Sequence, residues 1–154
     1  MNWLKLILSI LFCESAGLIG TIFTAKNIPA WFSTLKKPAF NPPDWLFGPV
    51  WITLYAMMGV SLYIIWNKSG EQDVKLPITL FIIQLILNAL WTLIFFGLKS
   101  PQYAFIEIVI LWIFILLCII KFYPISVTAS LLLIPYLLWV SFASVLNYSL
   151  WRLN

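Results

Sequence analysis

Residues 76–98 of this 154-residue chain read LPITLFIIQLILNALWTLIFFGL and carry no charged side chain. About 20 apolar residues in a row suffice for an α-helix to cross the hydrocarbon core of a bilayer. The stretch therefore predicts a transmembrane helix. Gln84, Asn88, Trp91 and Phe95 fall on one stripe of that helix. Because amides and indoles are costly in lipid, we expect the stripe to face the inside of a helix bundle.

The rest of the chain repeats this pattern. It is 63% hydrophobic and only 9% charged, whereas soluble domains have roughly 25% charged residues. Two spans each contain one acid, Glu14 in the first and Glu107 in the fourth. The predicted fold class is an all-α integral membrane protein, a bundle of five transmembrane helices in a single domain over residues 1–154. The predicted spans are 3–25, 45–67, 76–98, 102–123 and 127–151, with a long structured loop between helices 1 and 2.

That first loop, residues 26–43, reads KNIPAWFSTLKKPAFNPP. Proline fixes φ and removes a hydrogen-bond donor, so we expect a stiff, extended lid with one helical turn around Trp31–Leu35. Its aromatic side chains predict that it folds back onto the helix ends and closes one side of the bundle. The alternative is an anchor that lies among the lipid headgroups.

The nine tryptophans exceed what interfacial belts require. Trp51 and Tyr55 begin one continuous face of the second helix, and Trp139 and Ala143 share a face of the fifth. A buried indole offers a large flat surface and one N–H donor. These faces predict a pocket for a flat, mostly apolar ligand. The alternative is purely structural, with amides and indoles bonding neighbouring helices.

Several other chemistries are disfavoured. The chain has no histidine, so imidazole ligands and a Ser-His triad are excluded, and we expect no metal and no cofactor. Cys13 and Cys118 are read as small buried hydrophobes. The net charge of +4 is spread over loop edges, which suggests lipid headgroups rather than nucleic acid. Ala16, Gly17 and Gly20 form a small-residue face suited to close helix packing.

The two intramembrane acids are functional candidates because a charge at bilayer depth is expensive. Either Glu14 or Glu107 would serve as the carrier of a proton-coupled transporter. Glu107, however, is near its predicted helix end and within reach of Lys99, whereas Glu14 has no obvious cationic partner.

Taken together, the motifs resemble those of the translocator proteins, also called tryptophan-rich sensory proteins or peripheral benzodiazepine receptors. The resemblance lies in Trp31-Phe32-x-x-Leu35-x-Lys37-Pro38-x-Phe40-x-Pro42-Pro43, Phe47-Gly48-Pro49-Val50-Trp51, Gln84-Leu85-x-Leu87-Asn88-x-x-Trp91 and Pro135-Tyr136-Leu137-x-Trp139-x-x-Phe142-Ala143-x-x-Leu146-Asn147. It implies a five-helix bundle, usually dimeric, with a cavity roofed by the first loop. Family ligands are tetrapyrroles such as protoporphyrin IX, cholesterol in animal members, and synthetic isoquinoline carboxamides and benzodiazepines.

The helix faces and the resemblance agree on Trp51, Asn88, Trp91, Trp139 and Ala143. The expected ligand-binding residues are these five together with Trp31, Phe32, Pro43, Tyr55 and Gln84. Phe32 stands where the family often has Tyr, and Phe40 where Trp is common, so two polar contacts of the loop are lost. Leu146, Tyr148 and Arg152 fit the family's cholesterol-recognition pattern. An interfacial Tyr and Arg after an apolar helix explain that pattern equally well.

Three function classes remain open at this point. The leading hypothesis is a receptor or transporter-like protein that binds tetrapyrroles in sensing or transport, with Lys36 or Lys37 meeting a propionate. Because no histidine is available to ligate iron, a free-base porphyrin fits better than haem. The second is a light-dependent porphyrin-degrading enzyme with Trp51 and Trp139 as electron donors, and the third is a proton-coupled small-solute exporter.

The expected partners are such a ligand, membrane lipid, a sterol in some members, and a second copy in a homodimer. The expected location is the cell membrane in a prokaryote and the mitochondrial outer membrane in an animal.

Overall fold

The computed structural model describes residues 1–154, and all its regular elements are helical. The α-helices are α1 (Trp3–Ala30), α2 (Phe47–Asn67), α3 (Lys75–Thr92), α4 (Pro101–Phe122), α5 (Val127–Leu131) and α6 (Ile134–Leu153). One-turn 3-10 helices lie at Phe32–Thr34 and Asp44–Leu46, and a π-helical turn, Leu93–Gly97, continues α3. Five helical segments are long and apolar enough to cross a membrane. The predicted five-helix, multi-pass membrane protein is confirmed.

Two helical segments depart from the predicted spans, each near a proline. Helix α1 continues to Ala30, past the predicted end at residue 25, with Pro29 in its last turn. A proline at that place removes only one helical hydrogen bond. The last span is divided into α5 and α6 immediately before Pro135. The ring occupies the first turn of α6, where its missing N–H costs nothing.

The polar side chains of the membrane spans lie inside the bundle beside a mostly apolar core, and apolar side chains also cover the outside. Gln84, Asn88, Tyr136 and Asn147 are each at most 3% exposed, which confirms that the stripes on the third and fifth spans face inward. Large apolar side chains cover the outer surface, among them Leu4, Leu18, Ile22, Ile52, Ile86 and Leu138. An apolar outer surface suits a lipid surrounding, in which unpaired polar groups are costly.

Helices α1 and α2 approach each other closely at a glycine. A Cβ atom built on Gly59 would lie 2.5 Å from the Cα atom of Ile10. Only a residue without a Cβ therefore permits this backbone contact. The contact holds α1 against the half of α2 that is farther from the first loop.

The first loop packs onto the bundle, as the lid interpretation predicts. The Trp31 ring lies 5.6 Å from that of Phe95, and Phe32 lies 5.8 Å from Phe96. Both phenylalanines belong to the π-helical turn, and both are buried. Farther along the loop, Phe40 meets Phe142 of α6 at 6.2 Å. Aromatic pairs at these separations are favourable beyond the area they bury.

Candidate ligand-binding cavity

A cavity of about 600 Å³ lies beneath the first loop, between α1, α2, α6 and the end of α3. Its volume falls within the roughly 300–1,000 Å³ typical of small-molecule sites. The aromatic residues of its wall are Phe32, Phe47, Trp51, Tyr55, Trp91, Phe95, Phe96 and Trp139. Ala143 also lines the cavity, and its small side chain leaves space between the larger ones. Most of the wall is therefore flat and apolar.

Neighbouring rings hold two of the wall tryptophans, Trp51 and Trp91, in place. Trp51 stacks on Tyr55 with ring centroids 5.5 Å apart. Trp91 stacks on Phe95 at 5.2 Å, and its Nε1 donates to Oδ1 of Asn147 at 3.0 Å. These contacts fix each indole plane before any ligand arrives, which lowers the ordering cost of binding.

Trp139 differs from the other two wall tryptophans because its Nε1 is buried and has no acceptor in the protein. Its ring packs against Phe142 at 5.4 Å and Phe47 at 6.1 Å. A buried donor without a partner is unfavourable. Its N–H is therefore a buried donor in the wall that no protein group engages.

Gln84 and Asn88 do not line the cavity. They lie behind its wall in a buried hydrogen-bond network. The Tyr55 hydroxyl donates to Oδ1 of Asn88, and Nδ2 of Asn88 donates to the Tyr136 hydroxyl at 2.8 Å. Tyr136 in turn donates to Oε1 of Gln84 at 2.9 Å. The amides thus hold Tyr55 in the wall, and their polar atoms are engaged by protein rather than directed at a ligand.

Of the three loop residues expected in the cavity wall, only Phe32 lines it. Phe32 lines the cavity, whereas Trp31 packs on the outer side of Phe95 and Phe96, and Pro43 is exposed. Asp44, the next residue, does reach the wall. Trp31 therefore supports the roof and does not line the cavity.

Neither Lys36 nor Lys37 lines the cavity. Nζ of Lys37 lies 4.6 Å from the centroid of the Phe32 ring, a cation–π contact. Lys36 is exposed, and its backbone N–H and C=O bond the side chain of Asn154, each at 2.9 Å. The expected lysine contact with a propionate at the mouth stays a prediction. The Asn154 bonds instead fasten the loop to the end of α6.

Helix α1 supplies a wall that the sequence reasoning missed. Its lining residues are Glu14, Gly17, Leu18, Gly20, Thr21, Thr24 and Ile28. The sequence predicts that the small-residue face serves close helix packing. Gly17 does serve it, because a Cβ there would lie 2.7 Å from the Tyr55 ring. The same small residues also leave room for the cavity. The sequence places these residues on one face with Glu14, but nothing in it indicates that the face borders a cavity.

The three residues of the cholesterol-recognition pattern do not form one site. Leu146 lines the cavity. Tyr148 points elsewhere, with its ring 5.3 Å from Phe105 and 5.9 Å from Trp151. Arg152 is exposed. The three residues thus lie in the cavity wall, beside Phe105 and Trp151, and at the end of α6.

The two intramembrane acids occupy different surroundings. Glu14 lines the cavity, whereas Glu107 is 6% exposed and neither of its carboxyl oxygens has a hydrogen-bond partner. Lys99 does not pair with it, since the ion pair of this protein joins Lys68 and Glu71. No group of three potential metal-binding side chains is present. The site is thus an apolar cavity with a few polar groups.

A helical bundle of five membrane-spanning segments with a tryptophan-lined, ligand-sized cavity under its first loop defines a class of small polytopic membrane proteins. Residues 9–152 match the model of the TspO/MBR family, and the chain belongs to this family. Its relatives carry the names tryptophan-rich sensory protein and translocator protein. The chain is accordingly a membrane protein of the TspO/MBR family.

The similarity to individual relatives extends over nearly the whole chain. The chain is 47% identical to Tryptophan-rich protein TspO of Chlorobaculum tepidum, over 98% of this chain and 96% of that protein. It is 45% identical to Tryptophan-rich protein TspO of Archaeoglobus fulgidus, over 100% and 99% of the two chains. It is 36% identical to the human Translocator protein, over 88% of this chain and 82% of that protein.

Proposed function

We propose that the cavity binds a flat, mostly apolar small molecule, with a tetrapyrrole such as protoporphyrin IX as the first candidate, and that the protein acts as a membrane receptor or carrier for it. The observation that carries this proposal is the placement of Trp51, Trp91 and Trp139 around one cavity of about 600 Å³. A porphyrin macrocycle is planar and aromatic. Indole faces and edges suit such a surface, at about 0.5–1.5 kcal/mol for each contact beyond area burial.

The polar groups of the wall add orientation to this apolar contact. Nε1 of Trp139 has no partner in the protein and is covered, so we expect an acceptor on the ligand to reach it after a rotation of the indole. The network behind Tyr55 keeps that ring rigid, so the stacked pair of Trp51 and Tyr55 presents a preformed surface. Binding to a rigid surface loses less conformational entropy than binding that must order side chains.

An apolar ligand reaches this cavity most directly from the bilayer. Leu18 of α1 and Ile52 of α2 line the cavity, yet they are 69% and 61% exposed. The wall is therefore open to the outer surface between these two helices. A molecule already dissolved in lipid enters there without crossing water, while the packed loop closes the end of the bundle.

Light-dependent degradation of the bound porphyrin is the second candidate. It is favoured by the position of Trp51 and Trp139 on the same cavity wall, because indoles are the electron donors that a photoexcited porphyrin would oxidise. This function predicts a new product that requires illumination and oxygen. It also predicts loss of that product when both indoles are replaced.

The test is a titration of detergent-solubilised protein with protoporphyrin IX, followed by tryptophan emission in the dark and by porphyrin absorbance under light. The variants are Trp51→Leu and Trp139→Leu, with Trp45→Leu as control because Trp45 is 72% exposed and outside the cavity. We expect saturable binding that each wall substitution weakens by about 2- to 12-fold, from the contact energies above. Linear quenching that is the same in all variants would mean that porphyrin merely partitions into micelles, and it would refute the proposal.

A further inference from the structure

A groove of about 500 Å³ lies on the outer surface between α4 and α6, on the side of α6 that faces away from the cavity. In both helices its lining residues recur every three or four positions, so each set forms one stripe along its helix. The outer groove thus runs between two facing stripes. They consist of Phe105, Val109 and Trp112 on α4, and of Ser141, Ser144, Val145 and Tyr148 on α6.

The outer groove opens at the end of the bundle that carries the first loop, because α6 ends there. From Tyr148 inward to Ser141 it extends about 10 Å along the helix, a third of the roughly 30 Å of bilayer hydrocarbon. At its mouth the rings of Phe105, Tyr148 and Trp151 lie 5.3–5.9 Å apart. Tyrosine and tryptophan are enriched where headgroups meet hydrocarbon. The mouth therefore lies at headgroup level and the inner end among acyl chains.

The donors at the inner end are already engaged by the protein. Nε1 of Trp112 donates to Oγ of Ser141 at 2.8 Å. The hydroxyls of Ser141 and Ser144 donate to the backbone oxygens of Leu137 and Val140 at 2.8 and 2.7 Å. A buried polar group whose bonds are made gains little from a ligand. The inner end therefore suits a hydrocarbon chain.

The mouth, by contrast, has a cation without a partner. Arg152 follows Tyr148 by four residues and lies on the same face of α6, and helical side chains lean back over the preceding turn. We therefore expect its guanidinium near the groove mouth. Arg152 is exposed and takes no part in the ion pair of this protein, which joins Lys68 and Glu71. Lys99, just before α4, adds a second exposed cation at this end.

We propose that the outer groove binds an anionic phospholipid, with an acyl chain between the two stripes and the phosphate on Arg152. The planar guanidinium matches phosphate oxygens in pairs, and basic residues at a membrane surface attract anionic headgroups. A sterol has a hydroxyl and no charge, so it would leave the guanidinium unmatched. A zwitterionic phospholipid carries its own ammonium group, which offsets the attraction. The inference does not depend on what the cavity under the first loop binds.

The test is native mass spectrometry of protein released from non-ionic detergent, with dioleoyl phosphatidylglycerol, dioleoyl phosphatidylcholine or cholesterol added in turn. Arg152→Gln removes the cation, and Lys75→Gln is its control, because Lys75 is exposed at the opposite end of the bundle. Val109→Trp fills the outer groove. Ile106→Trp is the matched control, since Ile106 is 54% exposed on α4 and lies outside the groove. Far-UV circular dichroism verifies that each variant is folded.

We expect the wild type to bind the first phosphatidylglycerol about fivefold more tightly than phosphatidylcholine, as one cation at a membrane surface would produce. Arg152→Gln should remove most of this preference while leaving the affinity for phosphatidylcholine unchanged, and Lys75→Gln should keep the preference. Val109→Trp should weaken binding of both phospholipids by about fivefold or more, whereas Ile106→Trp should weaken neither. If Val109→Trp fails to fold, Val145→Trp fills the same groove from α6.

Three results overturn the inference. Equal loss of preference in Arg152→Gln and Lys75→Gln would mean that charge acts diffusely over the whole protein. Phospholipid binding that ignores the tryptophan substitutions in the groove would place the lipid elsewhere. Cholesterol binding that is lost in Val109→Trp, while phosphatidylglycerol binding persists, would make the outer groove a sterol site.

Discussion

Replacement of Gly59 by alanine tests how closely α1 and α2 must approach. A Cβ at this position would lie 2.5 Å from Cα of Ile10 and 2.9 Å from its backbone nitrogen. Carbon atoms in contact are normally about 3.5–4.0 Å apart, so the helices would have to separate by about 1 Å or more. A side chain can rotate away from such a clash, but a helix backbone cannot.

The magnitude follows from two opposing effects. Alanine is about 1 kcal/mol better than glycine inside a helix, and overpacking typically costs about 1–3 kcal/mol. A clash with backbone belongs at the upper end of that range, so the expected net loss is about 1–2 kcal/mol. Gly20→Ala is the matched control, since its new Cβ would lie 3.4 Å from Cγ2 of Thr92, an ordinary contact. That variant should be as stable as the wild type or up to about 1 kcal/mol more stable.

The measurement is the free energy of unfolding in mixed micelles, with SDS as denaturant and far-UV circular dichroism as readout. We expect Gly59→Ala to unfold at a lower SDS fraction than both the wild type and Gly20→Ala. Equal stability of the two alanine variants would refute the reasoning, because they differ chiefly in the space available to one methyl group.

Two further predictions concern the wall and the roof. Asn88→Leu removes the partner of the Tyr55 hydroxyl and one partner of Tyr136, so unfolding free energy should fall by about 1–3 kcal/mol; an unchanged value would mean that the network adds nothing to stability. Asn154→Ala removes both side-chain bonds to the backbone of Lys36. It should raise hydrogen exchange in residues 31–40 while leaving α3 and α4 protected, and unchanged exchange in the loop would contradict the proposed fastening role.

The membrane helices were predictable because their signal is long and redundant. Each span is apolar over about 20 residues with at most one acid, and a run of that length predicts a helix that crosses a bilayer. The inward direction of the stripes was also predictable, since an amide such as Asn88 facing lipid is costly. Helix periodicity, however, identifies a face without identifying its partner. Whether Asn88 meets a ligand or Tyr136 depends on how α3 and α6 are placed in three dimensions.

The α1 wall was missed for a related reason. Glycines in a membrane helix are expected wherever backbones approach closely, and Gly17 does serve that purpose against Tyr55. The sequence contains no sign that the same face borders an empty volume, because a cavity results from what several helices leave unfilled. The sequence shows that Glu14 is an acid within a span, whereas only the structure shows that it lines the cavity.

The π-helical turn Leu93–Gly97 has a consequence for insertions and deletions. Its wide geometry is closed by a bond from Leu98 N to Leu93 O at 2.9 Å, so the turn contains one residue more than an α-helical turn would. This surplus residue allows adjacent Phe95 and Phe96 to be buried together under the loop. Losing one residue here would restore ordinary helix and rotate everything after it by about 100°. The support of the roof thus depends on segment length as much as on side-chain identity.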